Sequence, residues 1–235
     1  MIKFGIRQSF NKIEQVEERY SNIKVPVEVA LPYYWDIYEP IRVHLREIAD
    51  KIRSYRTEVL SVHAVQSYIT DENFLIWGKE IADFAKAINT TNITLHPNNV
   101  KKGKSAQEYA IRNLKYFTDL YKDEIVFCVE TFEGSRRVFT PDEIVGFNLL
   151  MTLDTSHIHD DKKIWDLLKD YGENIKNVHL SAKDGNKQHL PIDSFCKEIV
   201  IYLIKNKWNG NVILEYLPEF HNRLLNDLKF LQTMQ

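Results

Sequence analysis

Six apolar runs in this sequence end on a side chain that can bind a metal ion or move a proton. They are Val59-Leu-Ser-Val-His63, Ile93-Thr-Leu-His96, Ile125-Val-Phe-Cys-Val-Glu130, Leu149-Leu-Met-Thr-Leu-Asp154, Val178-His179-Leu180 and Val212-Ile-Leu-Glu215. Asp154 is followed by Thr155-Ser156-His157, so a second metal-competent group leaves the same run. Buried ionisable groups are costly unless they meet partners, so endings of this kind predict convergence on one site. Imidazoles mixed with carboxylates suit zinc, with manganese as the alternative. A glutamate such as Glu130 in the middle can bridge two ions, which would lower the pKa of a bound water and clamp the oxygens of a phosphoryl transfer. The smaller set Glu130, Asp154, His179 and Glu215 would instead hold one ion that polarises a hydroxy-carbonyl substrate while the glutamates move protons. The choice between these chemistries depends on His63 and His96.

Such endings converge only if the strands run parallel with their C-terminal ends on one rim. After Ile2–Ile6, an amphipathic pattern (Phe10, Ile13, Val16) predicts a helix to Tyr20. Val25–Leu31 is the second strand, and Pro40 is expected to open a helix carrying Ile41, Leu45, Ile48 and Ile52. The remaining strands alternate with helices over 74–88, 105–117, 164–168, 195–206 and 224–231, with one more opening at Thr140-Pro141. Ser105-x-x-Glu108 and Thr140-Pro-Asp-Glu143 read as capping boxes. Eight strand and helix units with continuously apolar strands predict an α/β fold of the (β/α)8 TIM-barrel type, in one domain spanning 1–235. No Gly-x-Gly-x-x-Gly turn follows the first strand, and the ionisable endings are spread over six strands, which argues against an open doubly wound sheet.

Composition narrows the function classes. A chain of 235 residues, 44% hydrophobic and with net charge -2, can bury a large core but carries no global basic field for nucleic acid. Cys128 and Cys196 read as reduced core residues. No apolar run approaches membrane-spanning length, so a cytoplasmic protein without membrane association is expected.

The endings His63-Ala, His96-Pro, Glu130-Thr, Asp154-Thr-Ser-His157, His179-Leu, His189 and Glu215 resemble the endonuclease IV branch of the xylose isomerase-like TIM-barrel superfamily, over the third to the eighth strand. The resemblance implies AP endonuclease-like chemistry: hydrolysis of the phosphodiester 5′ to an abasic site in DNA by a zinc cluster. Carried over, His63, His96 and Glu130 would hold one ion and Glu130, Asp154, His179 and Glu215 a second. His157 and His189 would form part of a third site or contact substrate, and Glu130, Glu215 and His157 would be the catalytic groups. The loop Tyr33-Tyr34-Trp35 and Arg136-Arg137 would approach DNA. The family completes its third site with Asp-x-His, where this chain has Lys187-Gln188-His189. An ammonium cannot be a ligand, so one or two ions are expected. The alternative is the sister branch of sugar (phosphate) isomerases and epimerases, which is similar in using one ion on Glu130, Asp154, His179 and Glu215 with two proton-moving glutamates.

Plainer readings stand beside these. Three loop aromatics can cap a barrel, Arg136 and Arg137 can be solvated charges, and His44, His159 and His221 read as surface residues. Lys183 and Asp184 follow the seventh strand and could pair with each other or touch substrate. For Glu130, Asp154, His179 and Glu215 the mouth of a barrel offers no routine structural use.

Overall fold

The computed structural model describes every residue except 33–34, 65–68, 70–73, 97–103 and 134–138, and gives the backbone alone at 35–38 and 104–106. Eight parallel strands close into a barrel: β1 (Lys3–Ser9), β2 (Val27–Ala30), β3 (Val59–His63), β4 (Asn92–Leu95), β5 (Val126–Glu130), β6 (Leu150–Asp154), β7 (Ile175–Leu180) and β10 (Asn211–Leu214). β10 closes the ring between β7 and β1, so the (β/α)8 architecture stands. The other two strands, β8 (Ala182–Asp184) and β9 (Lys187–Leu190), form an antiparallel hairpin that the sequence reading passed over. Its turn places Gly185 at φ 56, a left-handed conformation that glycine adopts without steric cost.

Helices α1 (Glu14–Tyr20), α2 (Trp35–Arg42), α3 (Leu45–Ser54), α4 (Phe74–Ala87), α5 (Lys104–Leu120), α6 (Pro141–Gly146), α7 (Asp161–Tyr171), α8 (Ser194–Lys205) and α9 (Leu224–Gln232) follow or link the strands. Two boundary expectations are corrected. Pro40 does not open a helix but lies inside α2, which stops two residues later. A proline in a helix interior removes a backbone donor and crowds the preceding turn, and the chain restarts as α3 at Leu45. Ser105 is inside the first turn of α5 instead of preceding it. The second capping box is present as expected: Glu143 N donates to Thr140 Oγ1 at 3.2 Å and Thr140 N donates to Glu143 Oε2 at 2.7 Å. No described helix is long and apolar enough to cross a membrane.

Because side chains alternate across a strand, each ionisable ending shares the barrel interior with the residue two positions before it. Thus Ser61 precedes His63, Thr94 precedes His96, Cys128 precedes Glu130, Thr152 precedes Asp154 and Asn177 precedes His179, all of them buried. The lower residues form a neutral layer. Asn177 Nδ2 donates to Thr94 Oγ1 at 3.2 Å and Thr152 Oγ1 at 3.3 Å, and Asn211 Nδ2 donates to Asn177 Oδ1 at 2.9 Å. Two register shifts set up the layer above. One between Val27 and Glu28 brings Glu28 opposite Ser61 on β3, and one between Met151 and Thr152 brings Asp154 opposite His179 on β7. Such irregularities re-aim side chains at barrel rims.

Candidate metal centre

Each residue named from the strand endings, where it is described, lies at the C-terminal mouth. His63, Glu130 and Asp154 are the last residues of their strands, His96 and Glu215 follow theirs by one, and His179 is penultimate. Glu130 is the hub. Its Oε1 lies 3.2 Å from His179 Nδ1 and 3.6 Å from His157 Nδ1, and its Oε2 lies 3.3 Å from His63 Nε2 and 3.7 Å from His96 Nε2. Glu215 Oε2 sits 3.2 Å from the same His179 Nδ1, on the side away from Glu130's strand.

Asp154 is held by its own turn. Its Oδ1 accepts from Ser156 N at 2.7 Å, Ser156 Oγ at 2.8 Å and His157 N at 3.1 Å. The short Asp-Thr-Ser-His segment folds this way because an aspartate can close a turn onto the amides two and three residues ahead. Asp154 Oδ2 is left buried without a hydrogen bond, 3.4 Å from His157 Nδ1 and 3.9 Å from His179 Nδ1. Thr155 Oγ1 donates to Ser181 O at 2.7 Å, and Lys183 Nζ donates to Ile158 O at 2.6 Å and pairs with Asp161 at 2.8 Å, so the loop is tied to β8. Lys183 and Asp184 therefore do not pair with each other; Lys183 binds the loop, and Asp184 is exposed.

Three groupings bring their ligand atoms within 4.8 Å of one another: Glu130, Asp154, His179 and Glu215; His63, Glu130 and His179; and Asp154, His157 and His189. The donor set fits a divalent ion on two counts. Buried atoms Asp154 Oδ2, Glu215 Oε2 and His157 Nδ1 have no hydrogen-bond partner among the described residues, although buried polar groups are normally satisfied. Among the described residues, four buried carboxylates (Glu28, Glu130, Asp154, Glu215) also share the interior with one buried guanidinium, Arg7, and the charged His179, which leaves an excess of negative charge that a divalent cation would offset.

The electrostatics follow from that crowding. Burial by itself would raise the Glu130 carboxyl, but the imidazoles of His96, His179 and His63 outweigh it and hold Glu130 well below the usual carboxylate range. Burial drives His96 down to about 3, so near neutral pH the hydrogen bonds from His179 and His63 are what keep Glu130 ionised. His179 is raised well above an ordinary histidine: burial opposes its charge, and Glu28, Glu130 and Glu215 override burial. Glu215 is lowered; burial works against this, and its ion pair with Arg7 is the main reason.

Other residues fall elsewhere. His157 stacks on Phe132 at 4.3 Å between ring centroids and meets His189 edge-on at 5.1 Å. Lys187 is exposed on β9, so its charge is solvated and does not oppose a cation at His157 and His189. Asp154 supplies the carboxylate that Asp-x-His would otherwise bring to that pair. His44 and His159 are exposed, whereas His221 is half-buried with Nε2 3.1 Å from Tyr216 O. Tyr33, Tyr34, Arg136 and Arg137 lie outside the described residues, and of Trp35 only the backbone is given.

Two functional candidates escaped the sequence reading, Arg7 and Glu28. Both are charged residues set inside apolar strands, Phe4-Gly-Ile-Arg7 and Val27-Glu-Val-Ala30, and that interruption was the available signal. Glu28 sits inside its run, whereas Arg7 closes the apolar stretch of its own but is a cation and so no metal ligand.

No protein-family model and no curated protein matches the sequence. Solved structures do match. The apo form of 3-keto-D-glucoside 4-epimerase YcjR from E. coli superposes with a TM-score of 0.72 at 12% identity, covering 99% of this chain and 100% of that one. The TTHB071 protein from Thermus thermophilus, soaked with ZnCl2, gives 0.69 at 16% identity with 99% of each chain covered. An L-ribulose 3-epimerase gives 0.65 at 12% identity, covering 98% of this chain and 86% of that one. The fold is therefore a (β/α)8 TIM barrel, the one these structures share.

Proposed function

We propose that this protein is a metal-dependent isomerase or epimerase acting on a sugar with a carbonyl beside a hydroxyl-bearing carbon. The observation that carries the reading is that Glu130 and Glu215, from β5 and β10 with β6 and β7 between them, approach one imidazole nitrogen, His179 Nδ1, at 3.2 Å each. With Asp154 Oδ2 they make one four-donor set whose carboxylates come from two flanks. The similarity to two epimerases supports the same reading.

A divalent ion at Glu130, Asp154, His179 and Glu215 would polarise the substrate carbonyl and acidify the adjacent C–H. One glutamate would take that proton, the C–H electron pair moving into the carbon framework as the carbonyl oxygen gains charge; a proton drawn from water and relayed by the other glutamate would then reach the opposite face, and the first glutamate would release its proton to water to close the cycle. Which carbon receives it decides between epimer and aldose–ketose isomer. His157, held by Phe132, offers Nδ1 to a substrate hydroxyl. Zinc fits the nitrogen and oxygen donors, and manganese would serve equally.

This reverses the order expected from the sequence, where His63 and His96 favoured cleavage of abasic-site DNA. One observation still speaks for the phosphodiesterase as a second reading: His63 Nε2 and His96 Nε2 both face Glu130 Oε2, where a second ion could sit. The test is to load the protein with zinc or manganese and incubate it with ketohexoses and 3-keto-glucosides in D2O. Deuterium appearing at a carbon next to the carbonyl is expected. No exchange on any sugar, together with cleavage of an abasic duplex, would transfer the assignment to the second reading.

A further inference from the structure

Glu28 belongs to none of the three donor groupings, yet it is a fully buried carboxylate. Its oxygens go to the far side of the key histidine: Oε1 and Oε2 each lie 3.2 Å from His179 Nε2. Ser61 Oγ donates to Oε2 at 2.6 Å and fixes the carboxylate from the neighbouring strand. The chain Ser61, Glu28, His179 thus crosses the barrel interior from β3 through the adjacent β2 to β7, which neighbours neither in the ring.

An imidazole that gives one nitrogen's electron pair to a cation keeps its proton on the other nitrogen. A carboxylate can only accept, so Glu28 requires that proton at Nε2; the proton that Nδ1 shares with Glu130 in the metal-free protein is then the one a cation displaces, which leaves the Nδ1 electron pair facing Glu130, Asp154 and Glu215. We propose that Glu28, braced by Ser61, is a positioning residue that sets the tautomer and ring orientation of His179 for a divalent ion at Nδ1. The proposal rests on the metal reading above. Glu28 is not itself a ligand to that ion, because Oε2 bonds the nitrogen facing away from the other donors and neither oxygen joins their groupings. The register shift at Val27/Glu28 serves the same end, since without it Glu28 would stand opposite Leu60, which has no donor side chain. Carboxylates hydrogen-bonded behind a ligating histidine commonly govern metal affinity by roughly 10- to 100-fold.

The experiment compares Glu28→Ala, Glu28→Gln and Ser61→Ala with the unmodified protein. It titrates Zn2+ against a chromophoric chelator, records Co2+ absorption, and follows thermal unfolding of each metal-free protein. Glu28→Ala is expected to weaken Zn2+ binding roughly 10- to 100-fold and to shift the Co2+ spectrum. Glu28→Gln, whose amide oxygen can still accept from Nε2–H, is expected to recover part of that loss, and Ser61→Ala to lose a few-fold. In 15N-histidine NMR the zinc-loaded unmodified protein should show His179 with its proton on Nε2, and Glu28→Ala should lose that single state. If Glu28→Ala does not fold, Glu28→Gln and Ser61→Ala decide the matter. Folded variants that bind Zn2+ like the unmodified protein, whatever their thermal stability, would overturn the positioning role alone. An unmodified protein that takes up no divalent ion would overturn the metal reading and this proposal together.

Discussion

The barrel interior has two polar layers one pleat apart, and they behave oppositely. In the lower one, Thr94, Thr152, Asn177 and Asn211 are neutral and bond to one another. In the upper one, Glu130, Asp154, His179 and Glu215 are ionisable, and Asp154 Oδ2 and Glu215 Oε2 have no hydrogen-bond partner among the described residues. Both layers are buried, so burial does not separate structure from function here. Saturation does: a layer that satisfies itself holds strands together, and one that leaves charged acceptors open is shaped for something else.

The strongest way to break the contrast is to remove the upper layer's hub. Glu130→Gln keeps the volume but loses the anion that faces four imidazoles, so bound metal should fall to background and proton exchange by about 10³-fold or more. Elemental analysis and deuterium incorporation would read these losses; full retention of either would remove Glu130 from the role given to it. The lower layer should respond in stability instead. Asn177→Ala takes the acceptor from Asn211 Nδ2 and the donor from two threonines, and should lower unfolding stability by about 1–3 kcal/mol while leaving metal content unchanged. Denaturant unfolding beside elemental analysis checks this, and lost metal with intact stability would erase the distinction between layers.

The smallest effect sharpens the boundary. Burial holds His96 neutral down to about 3 in the folded chain, whereas an unfolded histidine takes up a proton near 6.5. The unfolded state therefore binds more protons below that value, and the stability of the metal-free protein should fall as pH drops from about 6.5 toward 3. His96→Gln should flatten that decline, by on the order of 1 kcal/mol between about pH 6.5 and 5.5. Parallel slopes in the two proteins would show that His96 is not held neutral.

The fold was legible because parallel strands covered on both faces must be apolar throughout, and their polar endings then stand out. The upper layer was legible for the same reason at His63, His96, Glu130, Asp154, His179 and Glu215. Glu28 was not, because it interrupts a strand instead of ending one, and Arg7 was not, because a guanidinium is no metal ligand; the partners of both also lie far away in sequence. Glu28 meets Ser61 only through a register shift, and Asp154 faces His179 only through another, and pairing irregularities leave no mark in residue types. The hairpin of β8 and β9 was missed because its strands have three and four residues, too few for a period to show. Its consequence is direct, since it carries His189 back over the mouth, 3.7 Å from Glu215 Oε1.

Asp154's turn also bears on which cations the mouth would accept. With Oδ1 already taking three hydrogen bonds, the carboxylate is denied the swing from one-oxygen to two-oxygen coordination known as a carboxylate shift. Calcium, which gathers roughly six to eight oxygens and draws on chelating carboxylates to do so, is poorly served by a donor fixed at one. A smaller ion content with roughly four to six donors in tetrahedral or octahedral array loses nothing. On the metal reading, the amides of Ser156 and His157, together with the Ser156 hydroxyl, would act as a selectivity filter built largely from backbone.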